Sequence, residues 1–181
     1  MKDINELAEQ IKILVLDVDG VLTDGMINIG PGGELFKSFN ARDGMGLSCL
    51  LRSNVRVAII TGRWSEIIHR RTKELGITEL YEGVTDKGTV LKNLCEDSGL
   101  RLSEVAYMGD DLNDLPALQL AGLACAPADA VPEVLKVSNF IAEADGGHGA
   151  VREVAELLLK AQGKWKPIVV TYLKEGRGDV Q

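Results

Sequence analysis

The sequence predicts one α/β domain built on a doubly wound parallel sheet. Two observations lead to this prediction. Short aliphatic segments alternate with amphipathic segments five or six times along the 181 residues, which is typical of parallel sheets with helices on both faces. The aliphatic segment Ile13–Leu16 has no polar position, which indicates a strand buried on both sides. No long linker divides the chain, so we expect residues 1–181 to form a single domain.

The first elements are predicted to be a short helix, a strand and a hairpin. Residues 3–10 are predicted to form a helix capped by Asp3 or Asn5, and the strand that follows ends at Asp17. Residues 24–39 alternate in polarity around a glycine-rich turn. This pattern indicates a β-hairpin that projects from the end of the first strand.

The rest of the chain is predicted to alternate between helices and strands. The helix after the hairpin is expected to be capped by Asp43, and later helices begin at Ser65 and Asp86 and end at Gly76 and Gly99. The remaining strands are predicted at residues 55–60, 80–81, 105–108, 122–126 and 139–141, and the remaining helices at residues 115–120, 131–137 and 150–161.

The hairpin and the C-terminal tail are candidate contacts between subunits. An isolated two-stranded hairpin is marginal in water, so its apolar side chains need cover. These side chains are Ile27, Ile29, Leu35 and Phe39. Lys37, on the same hairpin, is expected to reach a neighbouring subunit's site. The tail, residues 164–181, contains a β-like run at residues 168–172 and is expected to be either frayed or docked on a neighbour.

The composition argues against several function classes. A net charge of −7 and an aromatic content of 4% disfavour nucleic-acid binding, because phosphate backbones need excess Lys and Arg and bases stack on aromatic rings. No apolar run approaches the ~20 residues that span a bilayer, and the polar start does not resemble a signal peptide. Three widely spaced cysteines favour a reducing compartment. We therefore expect a cytoplasmic protein without a membrane or nucleic-acid partner.

Acidic and phosphate-binding residue types follow three of the predicted strands. They are Asp17 and Asp19 after the first strand, Thr61 after residues 55–60, and Asp110, Asp111 and Asp114 after residues 105–108, with Lys87 opening a helix. Because the carboxyl ends of parallel strands share one sheet edge, we expect these side chains to converge. Neighbouring carboxylates repel one another, and Mg²⁺ is the simplest cation to offset them, since it favours hard oxygen ligands. Taken alone, Asp17 and Asp19 could instead be turn residues.

Together these residue types form a set suited to phosphoryl transfer. They supply a carboxylate nucleophile, a second carboxylate for proton transfer and magnesium ligands. A Thr hydroxyl and a Lys ammonium can stabilise charge on the phosphate oxygens. A flavodoxin-like receiver domain also carries acidic residues and a Lys at this edge, but it would not need Asp-x-Asp together with Gly-Asp-Asp-x-x-Asp.

The chain resembles a known family on these motifs. The strings Asp17-Val-Asp19-Gly-Val, Thr61-Gly-Arg, Lys87 and Gly109-Asp-Asp-Leu-Asn-Asp114 resemble the haloacid dehalogenase superfamily of phosphatases. Further strings are similar to its capless subfamily that hydrolyses 3-deoxy-D-manno-octulosonate 8-phosphate in lipopolysaccharide synthesis. These strings are Phe39-Asn-Ala-Arg-Asp-Gly44, the helix with Arg71, Leu80-Tyr-Glu-Gly83 and Gly146-Gly-His-Gly-Ala-Val-Arg-Glu153. The resemblance covers residues 11–164.

The resemblance implies a role for each matching residue. Asp17 would attack phosphorus and become an aspartyl-phosphate. Asp19 would protonate the leaving sugar oxygen and then activate water. Thr61 and Lys87 would hold the phosphate. The remaining implied roles are magnesium binding by the carboxylates of Asp17 and Asp110 and the backbone carbonyl of Asp19, with Asp111 and Asp114 orienting the metal's waters or holding Lys87.

Substrate selection is expected to depend on cations that match a carboxylate as well as a phosphate. Candidate cations are Arg42, Arg63 and Arg71, and residues Asn40, Ala41, Asp43 and Gly44 are candidates to bind hydroxyl groups, with Asp19 and Lys87 at the phosphate end. His148 stands where relatives of this subfamily often have Arg, so a charged contact there is in doubt.

The resemblance also implies a ring-like homotetramer, in which the hairpin covers a neighbour's active site. Two alternatives remain open at this stage. One is a phosphatase for a nine-carbon, sialic-type sugar acid phosphate, against which the Arg of Thr61-Gly62-Arg63 and the pair Arg42-Asp43 are the discriminating features. The other is a non-catalytic assembly or regulatory domain, which the intact catalytic positions disfavour.

Overall fold

The structure is a computed structural model that describes residues 3–175. Its strands are β1 (Ile13–Leu16), β2 (Asn28–Gly30), β3 (Gly33–Phe36), β4 (Arg56–Ile60), β5 (Glu79–Tyr81), β6 (Val105–Met108), β7 (Leu123–Ala126) and β8 (Phe140–Ile141). Six of them form a sheet in the order β5-β4-β1-β6-β7-β8, and every neighbouring pair is parallel. The predicted doubly wound parallel sheet is confirmed.

Helices cover both faces of this sheet. They are α1 (Ile4–Glu9), α2 (Ala41–Arg52), α3 (Glu66–Leu75), α4 (Lys87–Ser98), α5 (Leu115–Leu120), α6 (Pro132–Val137), α7 (Ala150–Ala161) and α8 (Trp165–Glu175), with 3₁₀ turns at Leu102–Glu104 and Leu112–Asp114. Within residues 3–175, each helix is too short or too polar to cross a bilayer.

The core consists of two apolar layers separated by the sheet. Leu14 and Leu16 of β1 pack with α2 and α7 on one face, whereas Ile13 and Val15 pack with α4, α5 and α6 on the other. Alternate side chains of a strand point to opposite faces, so a strand between two helical layers must be apolar at every position. This explains the unbroken apolar run of β1.

The N-terminus of α2 differs from the prediction. Asn40, not Asp43, caps this helix, and its side-chain oxygen accepts a hydrogen bond from the Arg42 N–H at 2.8 Å. Asp43 lies in the first turn, where its Oδ1 accepts a hydrogen bond from the Arg152 N–H of α7 at 2.7 Å. The predicted cap was wrong because Asp43 serves a neighbouring helix instead of its own. Ser65 and Asp86 cap α3 and α4 as predicted.

The C-terminal tail also corrects the prediction. The β-like run at residues 168–172 lies inside α8. Trp165, Ile168 and Tyr172 recur at helical spacing and pack against the core, and Pro167 lies in the first turn, where a missing N–H costs nothing. Packing of one helical face therefore outweighs the β propensity of the local sequence. Residues 176–181 lie outside the described part of the chain.

The predicted hairpin is present but shorter. β2 and β3 pair antiparallel with a register shift after Asn28, and between β1 and α2 the chain forms this hairpin and no inserted domain. Ile29 and Leu35 are 67% and 60% exposed. Phe39 instead packs against the core, so it is not among the hairpin side chains that need cover.

Candidate active site

The site lies where three central strands end. β1 is paired with β4 on one side and with β6 on the other, so Asp17, Thr61 and Asp110, which follow these strands, lie at one edge of the sheet. The Asp17 N–H donates to the carbonyl of Met108 at 3.0 Å, which fixes the nucleophile candidate against β6. Lys87, the first residue of α4, is almost fully buried beneath this edge.

Lys87 connects two of the predicted acidic residues. Its Nζ lies 2.9 Å from Asp17 Oδ2 and 2.7 Å from Asp114 Oδ1. Burial alone would lower the pKa of Lys87, but the charges of Asp17 and Asp114 outweigh it, and the pKa is raised. Lys87 is therefore a fixed cation beside Asp17.

Asp114 is fully buried and its carboxylate accepts hydrogen bonds at both oxygens. Oδ1 accepts from Lys87 Nζ and from the Tyr107 hydroxyl, each at 2.7 Å. Oδ2 accepts from the N–H groups of Asp110 and Asp111, at 3.0 and 3.4 Å. Four donors occupy the carboxylate, so Asp114 is placed to hold Lys87, which is one of the two roles predicted for it.

Tyr107 is a site residue that the sequence analysis missed. It is fully buried in β6, and burial, followed by the charge of Asp114, raises the pKa of its hydroxyl. The signal in the sequence was one hydroxyl inside the apolar run of residues 105–108, two positions before Gly109-Asp110. A buried phenol needs a partner, and here that partner is a residue of the acidic cluster.

The acidic cluster fits a magnesium ion. Oxygens of Asp17, Asp110 and Asp114 lie within 4.8 Å of one another. Burial, and then the neighbouring carboxylates, raise the pKa of Asp17 and of Asp110 to about 7 each. Within the described residues, Asp110 Oδ1 is buried without a hydrogen-bond donor. Hard oxygen atoms with excess negative charge are what Mg²⁺ prefers.

Two residues of this cluster belong to the predicted metal set, and the third does not. Asp17 and Asp110 were both predicted as ligands through their carboxylates. The distances alone would also allow Asp114 to bind the ion. Its carboxylate already accepts four hydrogen bonds, however, so it is less free than Asp110 to bind a metal. Asp17 and Asp110 are therefore the two carboxylates of this cluster that match the predicted metal ligands. Gly20 keeps this space open, because a Cβ there would lie 2.0 Å from Asp110 Oδ2.

The Asp19 side chain lies between two cations. Lys37 Nζ contacts Asp19 Oδ1, and Arg63 Nε lies 3.7 Å from Asp19 Oδ2. Lys37 was predicted to reach a neighbouring subunit's site, and in this structure its ammonium group contacts Asp19 of its own chain. The hairpin folds back over its own chain, because Glu34 binds both Lys37 and Ser65, the cap of α3.

The residues predicted to hold the phosphate and the sugar form two groups. Thr61 is buried at the end of β4, and its Oγ1 accepts from the Arg63 N–H at 3.4 Å. The second group surrounds the start of α2. There, Arg71 lies over the Phe39 ring at 5.6 Å and against Gly44, while Ala41 and Arg42 are exposed.

Asp43 and His148 have contacts that organise the backbone. Asp43 is buried and binds the start of α7, as described above, which makes it a packing residue as well as a predicted hydroxyl ligand. His148 Nδ1 lies 2.8 Å from the carbonyl oxygen of Gly146, so this side chain bonds within its own loop.

Comparisons with known proteins decide the family. Residues 57–154 match the model of the haloacid dehalogenase-like hydrolases. Over 162 residues the chain is 48% identical to 3-deoxy-D-manno-octulosonate 8-phosphate phosphatase of Escherichia coli, covering 90% of this chain and 86% of that protein. The chain belongs to the haloacid dehalogenase-like hydrolases. The family predicted from the motifs is confirmed.

Solved structures of this hydrolase family agree with the fold. The phosphatase of the same name from Moraxella catarrhalis, in complex with magnesium, phosphate and 3-deoxy-D-manno-octulosonate (KDO), has a TM-score of 0.92 at 43% identity, with 95% and 99% of the two chains covered. The cobalt-bound phosphatase of Haemophilus influenzae has a TM-score of 0.89 at 39% identity, with 93% and 99% covered.

Proposed function

We propose that this hydrolase is a magnesium-dependent phosphatase that converts 3-deoxy-D-manno-octulosonate 8-phosphate to the free sugar acid and phosphate. One observation carries the proposal: the matching structure from Moraxella catarrhalis holds magnesium, phosphate and the sugar acid together, and it covers 95% of this chain at a TM-score of 0.92. The acidic cluster at the end of β1 and β6 supplies the carboxylates that such a reaction needs.

In the first step, a carboxylate oxygen of Asp17 attacks phosphorus while the bond from phosphorus to the sugar oxygen breaks. Asp19 gives its proton to that oxygen, so the sugar leaves as an alcohol. The Lys87 ammonium, 2.9 Å from Asp17, and the Thr61 hydroxyl stabilise charge on the transferring group. The product on the protein is an aspartyl-phosphate at Asp17.

In the second step, Asp19, now a carboxylate, takes a proton from water, and the water oxygen attacks the phosphorus. The bond between Asp17 and phosphorus breaks, which releases phosphate and restores both aspartates. Asp17 and Asp110 would hold Mg²⁺ with the Asp19 backbone carbonyl, and the ion would act as a Lewis acid that offsets the charge of the phosphoryl oxygens. Asp111 and Asp114 support this shell and Lys87.

We assign recognition of the substrate's sugar acid to the basic residues near the site. Arg63 extends from the Thr61 loop to within 3.7 Å of Asp19, so it can meet a substrate bound at the nucleophile. Arg71 lines the cavities at the start of α2 together with Asn40, Ala41, Asp43 and Gly44. Arg42 is exposed in the first turn of that helix, and we assign the more distant part of the predicted site to this group. A carboxylate on the substrate favours such forked cations.

The setting of the reaction is also part of the proposal. A homotetramer with hairpin-mediated contacts is supported by the exposed Ile29 and Leu35. A cytoplasmic place in lipopolysaccharide synthesis is supported by three cysteines that are buried as small core residues, and by the substrate in the names of the relatives.

Substitution of the nucleophile tests the mechanism. Asp17→Asn should abolish magnesium-dependent phosphate release, because an amide does not form the acyl-phosphate. Thermal unfolding should show that the variant is still folded. Normal hydrolysis by Asp17→Asn would exclude the aspartyl-phosphate mechanism.

A further inference from the structure

Lys37 is a buried lysine on an otherwise exposed hairpin. Its side chain is 2% exposed, whereas its hairpin neighbours Leu35 and Phe36 are more than half exposed. Lysine is almost never buried so completely unless it is paired. The burial therefore points to a specific partner.

That partner is the proton-transfer residue of the same chain. Lys37 Nζ contacts Asp19 Oδ1, and it also lies 3.1 Å from Glu34 Oε1. An ammonium has three donors and no acceptor, so two of its donors are directed at carboxylates. Asp19 Oδ2 remains on the other side, 3.7 Å from Arg63 Nε, whose side chain is half exposed.

The hairpin is fixed to the body of the domain beside this contact. Glu34 Oε2 accepts a hydrogen bond from the Ser65 hydroxyl, and the Ser65 N–H donates to Glu82 Oε1 at 3.0 Å. Ser65 caps α3 and follows Arg63 by two residues. Both cations that flank Asp19 are therefore anchored to the N-terminus of α3. Lys37 is held there by Glu34, and Arg63 precedes the cap residue Ser65 by two positions in the sequence.

We propose that Lys37 is a positioning residue for the reaction and acts in cis, holding the Asp19 carboxyl group of its own chain where it exchanges protons with the leaving oxygen and with water. The inference rests on the proposed function only for the role of Asp19. An acid or base must lie within hydrogen-bond reach of its proton. A charged contact on one oxygen restricts rotation of the side chain and leaves the other oxygen for the transfer.

Two substrates with different leaving groups distinguish a positioning role of Lys37 from general structural damage in its variants. p-Nitrophenolate leaves without a proton, whereas a sugar alkoxide requires one. Lys37→Met should lower kcat on the sugar phosphate by ~10- to 100-fold, part of the contribution of a positioned acid or base, with KM changed less than ~3-fold. Single-turnover release of p-nitrophenol from p-nitrophenyl phosphate should stay within ~3-fold of the wild type.

Two further variants complete this experiment. Lys37→Arg should recover part of the lost rate, because it restores a cation at the hairpin. Lys92→Met, which removes an exposed lysine of α4, should match the wild type. A rise in KM at unchanged kcat would overturn the proposal in favour of direct substrate binding. Equal losses on both esters would overturn it in favour of a structural role.

Failure of the proposed function would look different. In that case the wild-type protein would not release phosphate from 3-deoxy-D-manno-octulosonate 8-phosphate but would hydrolyse another alkyl phosphate. The comparison of variants is then made with that ester, and the same contrast with p-nitrophenyl phosphate is expected.

Mixed assemblies test action in cis. Differently tagged Asp17→Asn and Lys37→Met chains are expressed together, and molecules that carry both tags are purified. If Lys37 serves its own chain, activity per Lys37→Met chain equals that of Lys37→Met alone. If the protein is a monomer, no molecule carries both tags, and action on a neighbouring chain is excluded. Recovery toward the wild-type rate would mean that an intact Lys37 serves a neighbour's Asp17 and Asp19, and would overturn the proposal.

Discussion

Asp114 is the buried acceptor that holds Lys87 beside Asp17. Its carboxylate gathers Lys87, the Tyr107 hydroxyl and two backbone N–H groups. In a buried setting each of these bonds matters, because a donor left without a partner costs its full desolvation. Asp114 therefore fixes the position of Lys87 beside Asp17.

Removal of the Tyr107 hydroxyl tests this arrangement. Tyr107→Phe deletes one of the two donors at Asp114 Oδ1 and should lower the free energy of unfolding by about 1 kcal/mol. We expect kcat to fall several-fold while the fold is kept, because Lys87 becomes less restrained. Tyr81→Phe, at the end of β5, is the control. Unchanged stability and kcat in Tyr107→Phe would contradict the role given to this hydroxyl.

The raised pKa values of Asp17 and Asp110 predict how stability depends on pH. Burial and neighbouring carboxylates raise both from 3.8 to about 7. The folded state then binds more protons than the unfolded state between about pH 4 and pH 7, so metal-free stability should fall as pH rises through this window.

Thermal unfolding in EDTA at pH 5.5 and pH 8 measures this effect. The metal-free protein should have the higher Tm at pH 5.5, and Mg²⁺ should raise Tm more at pH 8, where the carboxylates are charged. Asp110→Asn should reduce the difference. A higher Tm at pH 8 in EDTA would contradict the account.

At the scale of elements, the loop of residues 145–149 supports the loop that carries Asp19. The Gly147 N–H donates to the carbonyl of Val21 at 3.0 Å. A Cβ on Gly146 would lie 1.8 Å from the carbonyl oxygen of Gly20. The two loops are therefore in backbone contact, which only glycine permits.

Gly146→Ala should push these loops apart. We expect a loss of about 1–3 kcal/mol in the free energy of unfolding, as for overpacking elsewhere, together with a lower kcat, because Asp19 moves with its loop. Gly32→Ala is the matched control, since a Cβ there would meet no atom within 4 Å. A Gly146→Ala variant as stable and active as Gly32→Ala would refute the contact.

The elements also show where sequence reasoning succeeds. β1, β4 and β6 were predictable because strands covered on both faces must be apolar, and the residues that follow them converge for geometric reasons. α8 was not predictable in this way, because its β-branched residues are overruled by packing of Trp165 and Tyr172. The contact of Lys37 with Asp19 of its own chain was not predictable either, because a hairpin's sequence does not specify which surface it folds against.

At the scale of the whole molecule, the exposed face of the hairpin predicts association. Ile29 and Leu35 are more than half exposed on adjacent strands, and exposed apolar side chains that cluster, unlike single ones, mark contacts between proteins. The double variant Ile29→Ser, Leu35→Ser should shift the protein to a smaller mass in size-exclusion chromatography with light scattering.

Ile141→Ser is the control for that experiment, because it removes an exposed apolar side chain from the edge strand β8. It should leave the mass unchanged. If the hairpin double variant keeps the mass of the wild type, the hairpin is not the main contact between subunits.

The central claim concerns the substrate, and one measurement tests it directly. Purified protein with Mg²⁺ is assayed for phosphate release from 3-deoxy-D-manno-octulosonate 8-phosphate and from a nine-carbon sialic-type sugar acid 9-phosphate, and kcat/KM is compared. The account predicts the higher kcat/KM for the eight-carbon substrate and loss of release in EDTA. A higher kcat/KM for the nine-carbon substrate, or release that does not depend on Mg²⁺, would contradict it.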